Sequence, residues 1–462
     1  MDGLKKNLQR VLIAGIIQAL AGALNAFIVP KFIGVEQFGY YREFLLYSGY
    51  IGFLHFGFVD GMMVKYAGKP IESLDKREVE SEFAFLVYFQ FVIAACFVII
   101  GILLSNISIF LFGLSVFINN VYLHLSFIFL TTGQLKYYAF VRILPVFFLI
   151  FNGILILSGI SDYRYYIAAY VLANIVLLLY FLIVFKKYFN IRPYSKFKFS
   201  GIKLNFSSGM IVMLGNFLSI FFFSLDRWGV YFYFNNTNFA FYTFALSLMQ
   251  IIQVLVTSIS ITFYPYLAKE ENRESILKYT KFLLILSTFS LILYFALSEI
   301  VSQFVSKFIP SLILLKYLFL SAPALIVSNS VVINLLKKKE RIKTYFFHFL
   351  VFLIFGIILN YAIIVVFKTM ISIALINVVL YYIFLIYTTQ NVNITKLETK
   401  DLTYLIFSLV IFYLAAEYLN YFTGIIVFTV FALGLTYLFY RNILNQVFLN
   451  INEIYRKMLR KN

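Results

Sequence analysis

Apolar stretches of about 20 residues recur from one end of the chain to the other. Each is long enough to cross a hydrocarbon layer of roughly 30 Å as a helix. The buried core of a soluble domain cannot account for so many. The chain is 62% hydrophobic and 13% charged, where soluble domains run about 45–50% and about 25%. The sequence therefore predicts an all-α polytopic membrane protein. About fourteen spans are read from the apolar pattern: 11–30, 40–62, 83–104, 107–130, 143–160, 165–185, 205–233, 240–264, 282–304, 309–335, 345–367, 370–389, 402–420 and 422–440.

The first span follows Lys5, Lys6 and Arg10, and its small residues, ALAGALNA, resemble a signal-peptidase site. The spans that follow favour an uncleaved first helix instead. Cys96 is the single cysteine, which excludes internal disulfides and cysteine-rich metal sites. No P-loop, HExxH or nucleophile-elbow pattern occurs. Neither ATP use, a resident cofactor, a metal site nor an enzyme's catalytic residues are expected.

A net charge of +18 invites a nucleic-acid partner until the charges are placed. Alternate connections are basic: Lys65, Lys69, Lys76 and Arg77; Lys136 and Arg142; Lys186, Lys187, Arg192, Lys196, Lys198 and Lys203; Lys269 to Lys281; Lys337 to Lys343; Lys396 and Lys400; and the tail from Arg441. The connections between them hold few cations. This asymmetry is the positive-inside pattern. It predicts an even number of spans, cytoplasmic termini and attraction to anionic membrane lipid, and no nucleic-acid role. Every outer connection is too short for a folded domain. The basic stretch 186–204 falls midway, as a linker between halves.

The halves read as weak repeats. An offset of 201 residues lays Phe38-Gly39-Tyr40-Tyr41 on Phe239-Ala240-Phe241-Tyr242, and Asn25 on Asp226. Repeats of this kind are parallel, related by an axis along the membrane normal.

Polar residues at helical spacing on a lipid-embedded helix face protein or water. Span one carries Gly15, Gln18, Gly22 and Asn25; span two carries Ser48, Gly52 and His55. Span seven carries Ser208, Gly215, Ser219 and Asp226, with Gly209, Asn216 and Arg227 beside them. Span eight carries Thr243, Ser247, Gln250, Gln253, Thr257 and Ser260. Span ten carries Lys316, Pro323, Ser330 and Asn334. Each stripe alone fits helix packing. Together, the stripes of spans one, two, seven and eight fit one water-filled cavity.

The stretch FFFSLDRWGV sets Asp226 beside Arg227 inside an apolar run. A charge at a helix centre costs about 2.5–3.5 kcal/mol on insertion scales. Arg227 either lines the cavity or snorkels to the outer interface. With Lys316, and with Lys31 and Arg42 at the outer mouth, it would make the cavity cationic. Glu36, Glu43 and Glu299 are the acids available to balance it. Asp226 would orient Arg227 or bind a coupling cation, H+ or Na+. His55 is a second candidate for proton coupling.

The stretch from Pro30 to Lys69 resembles the first helical hairpin of bacterial polysaccharide flippases, with Gly34, Phe38, Gly39 and Tyr40 in the loop pattern and Gly57 and Asp60 near the end of span two. Asp226-Arg227 matches that family's acid–base pair in span seven, and Pro265 its span-eight proline. The seven-to-eight connection, NNTNFAFY, lacks the family's glycine. The family is the polysaccharide-transporter branch of the multidrug/oligosaccharidyl-lipid/polysaccharide (MOP) exporters. The resemblance covers 1–70 and 204–270 by motif and the rest by layout. It implies an N-lobe of six helices (1–185), the linker 186–204, a C-lobe of six helices (205–390), two peripheral helices (391–441) and a basic tail (442–462). It implies a flippase of the bacterial inner membrane that moves undecaprenyl-pyrophosphate-linked oligosaccharide for O-antigen, capsule or other surface polysaccharide. A polysaccharide polymerase and chain-length machinery would be its partners. Arg227, Asp226, Lys316, Arg42, Lys31, Gln250, Gln253, Asn25 and Gln18 would face the substrate. The other readings are a multidrug or small-molecule exporter of the same superfamily and, in a different class, an O-antigen polymerase or membrane glycosyltransferase.

Overall fold

The structure, a computed structural model, describes the backbone of residues 2–191, 197, 199–269, 273–336, 342–391 and 396–459, and side chains over 13–191, 197, 199–252, 274–336, 343–390, 396–441 and 443. Every regular element within them is helical. In chain order these are α1 (Asp2–Phe32), α2 (Val35–Ser48), α3 (Phe58–Tyr66), α4 (Lys76–Leu103), α5 (Ile107–Thr131), α6 (Leu135–Tyr138), α7 (Leu144–Leu157), α8 (Tyr163–Phe185), α9 (Phe199–Phe222) and α10 (Leu225–Tyr233). There follow α11 (Asn236–Lys269), α12 (Arg273–Phe289), α13 (Leu293–Phe304), α14 (Ser311–Phe319), α15 (Ala322–Val327), α16 (Ile333–Leu336), α17 (Ile342–Phe367), α18 (Met370–Asn391), α19 (Thr399–Tyr418) and α20 (Tyr421–Leu459). The starts of α2 and α11, at Val35 and Asn236, keep the 201-residue offset read from the sequence.

Eleven helices among the described residues are long and apolar enough to span a bilayer, or twelve if the bent pair Ser311–Phe319 and Ala322–Leu336 is one span. The other two expected spans are two and eight. Span two is not continuous: α2 ends at Ser48, a 3-10 segment runs Ile51–His55, and Phe56 and Gly57 turn the chain at φ 51° and 83°. Glycine tolerates that left-handed backbone without a Cβ clash. Span eight is α11, whose side chains beyond Ile252 lie outside the described residues. Span seven is also broken, between α9 and α10, and span ten bends by 53°.

Lipid-facing sequence stays on the surface. Leu103, Leu157, Tyr418 and Leu438 are among the most exposed side chains, as expected where the surrounding solvent is hydrocarbon. Three helix starts show side-chain caps. The Asn106 carboxamide accepts from the backbone N–H groups of Ser108 and Ile109, and the Asp162 and Asp75 carboxylates cap α8 and α4. These side chains satisfy orphan amides at the helix starts.

The chain divides into two compact units, residues 1–247 with 337–373, and 248–336 with 374–462. In the first, Phe58, Phe83, Phe129, Phe181 and Phe185 form a buried aromatic core. Beside it α3 and α9 approach backbone to backbone. A Cβ on Gly61 would lie 1.8 Å from the Asn205 carbonyl oxygen, and one on Gly209 would lie 1.9 Å from that of Gly57. No side chain fits between these helices. In the second unit Gly424 of α20 seats the Phe295 ring of α13 in the same way.

Candidate functional site

The site is built on the break in span seven. Helix α9 ends at Phe222 and α10 begins at Leu225. A helix end leaves carbonyls without partners, and a helix start leaves N–H groups without them. Arg227 Nη2 donates to the Phe223 carbonyl oxygen at 2.9 Å, so the cation serves the closing end of α9. Asp226 lies in the first turn of α10, where a negative charge is favoured by the helix dipole. Its Oδ1 accepts from the Arg227 backbone N–H at 2.8 Å, and its Oδ2 accepts from the Tyr242 hydroxyl of α11 at 3.0 Å. Asp226 is 2% exposed. Arg227 Nε lies 3.8 Å from Asp226 Oδ1 and has no hydrogen-bond acceptor. Asp226 thus belongs to protein interior, while the Arg227 side chain is a quarter exposed.

Arg42 comes from α2. Its guanidinium stands over the Phe38 ring, 5.9 Å from the centroid, and its buried Nε has no acceptor either. Two arginines thus stand on α2 and α10, helices that the Tyr231–Glu43 hydrogen bond ties together, each with a buried Nε–H that has no acceptor. Next to them α2 and α10 are tied at hydroxyl level. Tyr47 donates to the Tyr231 hydroxyl at 2.9 Å, which donates to Glu43 Oε1 at 2.8 Å. Trp228 Nε1 donates to the Tyr50 hydroxyl at 2.7 Å, and Tyr50 is 2.6 Å from Ser224 Oγ. The motif glycine Gly39 has a packing reason. A Cβ there would meet the Asn236 side chain at 2.3 Å, and that side chain donates to the Glu36 carbonyl at 2.8 Å.

The other expected site residues scatter. Lys316, in the second unit, is buried and ion-paired with Glu417 of α19, with the Tyr317 and Tyr413 rings 5.1 and 5.3 Å away. Glu417 was not among the acids expected to balance the cations. Its only sequence signal was being an acid inside an apolar span. Asn25 clamps α1 to α7: Nδ2 donates to the Pro145 carbonyl at 2.9 Å, and Oδ1 accepts from Asn152 at 3.1 Å. Gln18 is half-buried on α1, and Lys31 is exposed at its end beside Phe32. Gln250 is exposed in the second unit, and the Gln253 side chain lies outside the described residues. His55 is buried at the break in span two. Its Nδ1 accepts from the Gly57 N–H at 3.1 Å, and its Nε2 lies 3.7 Å from Asp60 Oδ2. The break takes His55 off the regular helix that its spacing from Ser48 assumed.

No protein-family model and no curated protein matches the sequence. Solved structures do. The chain is similar to the lipid II flippase MurJ in its inward closed conformation, with a TM-score of 0.69 at 15% identity over 94% of this chain and 99% of that one. It is similar to the MATE multidrug transporter DinF-BH, with a TM-score of 0.56 at 14% identity over 86% and 96%. An inward-facing multidrug resistance MATE family transporter of the MOP superfamily gives 0.55 at 12% identity over 82% and 98%. All three are transporters, not enzymes. The chain has the fold of the MOP-superfamily transporters.

Proposed function

We propose that the protein is a flippase for lipid-linked oligosaccharides, moving an undecaprenyl-pyrophosphate-linked repeat unit across the bacterial inner membrane for surface polysaccharide. The observation that carries this reading is the pair Arg42 and Arg227. Both keep a buried Nε–H without an acceptor, on helices that the Tyr231–Glu43 hydrogen bond ties together. A pyrophosphate supplies the missing acceptors and the missing negative charge, and guanidinium–phosphate bonds are among the strong charge-assisted ones. Asp226 fixes Arg227 in place, so the cation is held ready. The likeness to MurJ, a lipid II flippase by its description, agrees with a lipid-linked substrate.

In this reading two lobes, residues 1–185 and 205–390, rock about the basic linker 186–204. Both termini are cytoplasmic, and a polymerase takes the glycan outside. Lys316, neutralised by Glu417, anchors α19 instead of meeting substrate. The test is glycan output in a strain expressing Arg227→Ala or Arg42→Ala at wild-type membrane levels. Either variant should cut surface polysaccharide by tenfold or more, and Arg→Lys should restore part of it. Normal output from both alanine variants would remove the pair from the mechanism.

A further inference from the structure

Helices α2 and α10 are the outer halves of two broken spans, by the basic-connection pattern. They are short, 14 and 9 residues, and each is set off from the inner half of its span by a break. In span two the break runs to the turn at Phe56-Gly57; in span seven it is Phe223-Ser224. The inner halves, α3 and α9, meet backbone to backbone, with no room for a side chain. The outer halves are tied by side chains instead.

These ties fall into two groups. The Tyr231 hydroxyl of α10 accepts from Tyr47 at 2.9 Å and donates to Glu43 at 2.8 Å, both on α2. Trp228 of α10 donates to Tyr50, and Tyr50 lies 2.6 Å from Ser224, so the second group bridges the two breaks. The Tyr47 ring stands edge-on to Trp228 and Tyr231, with centroids 5.5 and 5.8 Å away. Hydroxyl bonds of this kind trade for bonds to water at small net cost. A backbone contact between glycines has no such replacement. The outer tie is therefore the one that parts more readily. Its placement links it to the two arginines. Glu43 follows Arg42 on α2; Trp228 follows Arg227 on α10, and Tyr231 comes one turn later. Neither helix swings without carrying its arginine.

Resting on the reading of Arg42 and Arg227 as the pyrophosphate site, we propose that this latch couples opening of the outer side to release of the anion. Closed, the latch keeps both arginines in reach of one pyrophosphate. As α10 swings from α2 the arginines separate, a two-armed clamp becomes two single contacts, and affinity falls as the way out opens. Glu43, Tyr50 and Tyr231 are then positioning residues for the anion. Such coupling is reciprocal: bound anion favours the closed latch by the factor by which the closed latch favours the anion.

The test uses the purified full chain in detergent, with Cys96→Ala removing the single cysteine, titrated calorimetrically with inorganic pyrophosphate. Tyr50→Phe combined with Tyr231→Phe keeps the rings, removes the hydroxyls and should weaken binding about tenfold. Gly39→Cys with Asn236→Cys supplies an artificial clamp at the same end, because a Cβ on Gly39 would lie 2.7 Å from the Asn236 Cγ. Closing that disulfide in the phenylalanine variant should return its affinity to within a few-fold of wild type, a rescue that a merely damaged fold does not give. With the hydroxyls intact, saturating pyrophosphate should speed closure of the same disulfide. Wild-type affinity in the phenylalanine variant, or no recovery on closing the disulfide, overturns the coupling and leaves the arginine site standing. Pyrophosphate binding that survives both Arg42→Ala and Arg227→Ala overturns the site itself, and the coupling falls with it.

Discussion

Asp226 and Arg227 are adjacent in sequence but serve opposite helix ends. Arg227 completes the end of α9 through the Phe223 carbonyl, and Asp226 occupies the first turn of α10. Insertion cost alone left two readings for Arg227, cavity wall or interfacial snorkel. The break between the helices decides where its N–H groups go. It was hidden in the sequence because apolar residues continue through Phe221, Phe222 and Phe223, and no proline or glycine marks it. The energetics follow. Asp226→Ala should cost about 3 kcal/mol of stability, the low end for breaking a buried charge pair, since Arg227 keeps some exposure. Tyr242→Phe removes one hydrogen bond to the same carboxylate and should cost about 1 kcal/mol. Thermal unfolding of the two purified variants, ranked against wild type, checks the order. A Tyr242→Phe loss as large as that of Asp226→Ala would mean the hydroxyl, not the charge, holds the pair.

Elements show where apolar periodicity succeeds and where it stops. It found α5 and α8 within two residues at each end, and α4 except for its charged first two turns, Lys76 to Glu82, which carry no apolar signal. It ran span two straight through Phe56-Gly57, because a left-handed turn inside apolar sequence is fixed by tertiary packing. That turn delivers α3 to α9, where Gly57, Gly61 and Gly209 leave no room for a Cβ. Gly61→Leu or Gly209→Leu should therefore force the helices apart. Overpacking of this kind costs about 1–3 kcal/mol and occasionally more, and should appear as lost monodisperse protein after detergent extraction. A second tie joins α3 to α4. Lys65 Nζ meets Glu78 at 2.7 Å and Glu82 at 2.6 Å, and Tyr66 donates to the other Glu82 oxygen at 2.8 Å. Burial opposes the Lys65 charge, but the two carboxylates outweigh it and its pKa is raised. A raised lysine pKa keeps the tie intact through neutral pH and loses it only in strong alkali. Glu82 is 3% exposed on its side chain against 22% for Glu78. Lys65→Met, which strands the Glu82 charge, should cost about 3–5 kcal/mol, and Glu78→Gln markedly less. Similar melting shifts for the two would contradict the burial argument.

At the scale of the whole molecule, apolar run lengths and the alternation of basic connections carried the fold class, because both are imposed by the bilayer and not by packing detail. The site was only partly legible. Arg42 and Arg227 lie on α2 and α10, helices that Glu43 and Tyr231 tie together, whereas Lys316 is spent on Glu417, a partner some 100 positions away that no periodicity can pair with it. The topology itself is open to a direct check. Cys96 is the single cysteine and is exposed on α4, so Cys96→Ala gives a cysteine-free background. Ser158 and Ser306 are exposed in connections expected outside, one in each half of the chain. Ser73 and Lys186 are exposed in connections expected inside. Single cysteines at Ser158 and Ser306 should react with a membrane-impermeant maleimide in intact cells. Those at Ser73 and Lys186 should react only after permeabilisation. Because Ser158 and Ser306 are separated by the basic linker, the pair also tests the span count between them. If one reacts from outside and the other does not, an odd number of crossings has been misread between residues 158 and 306, and the parallel relation of the two halves fails with it.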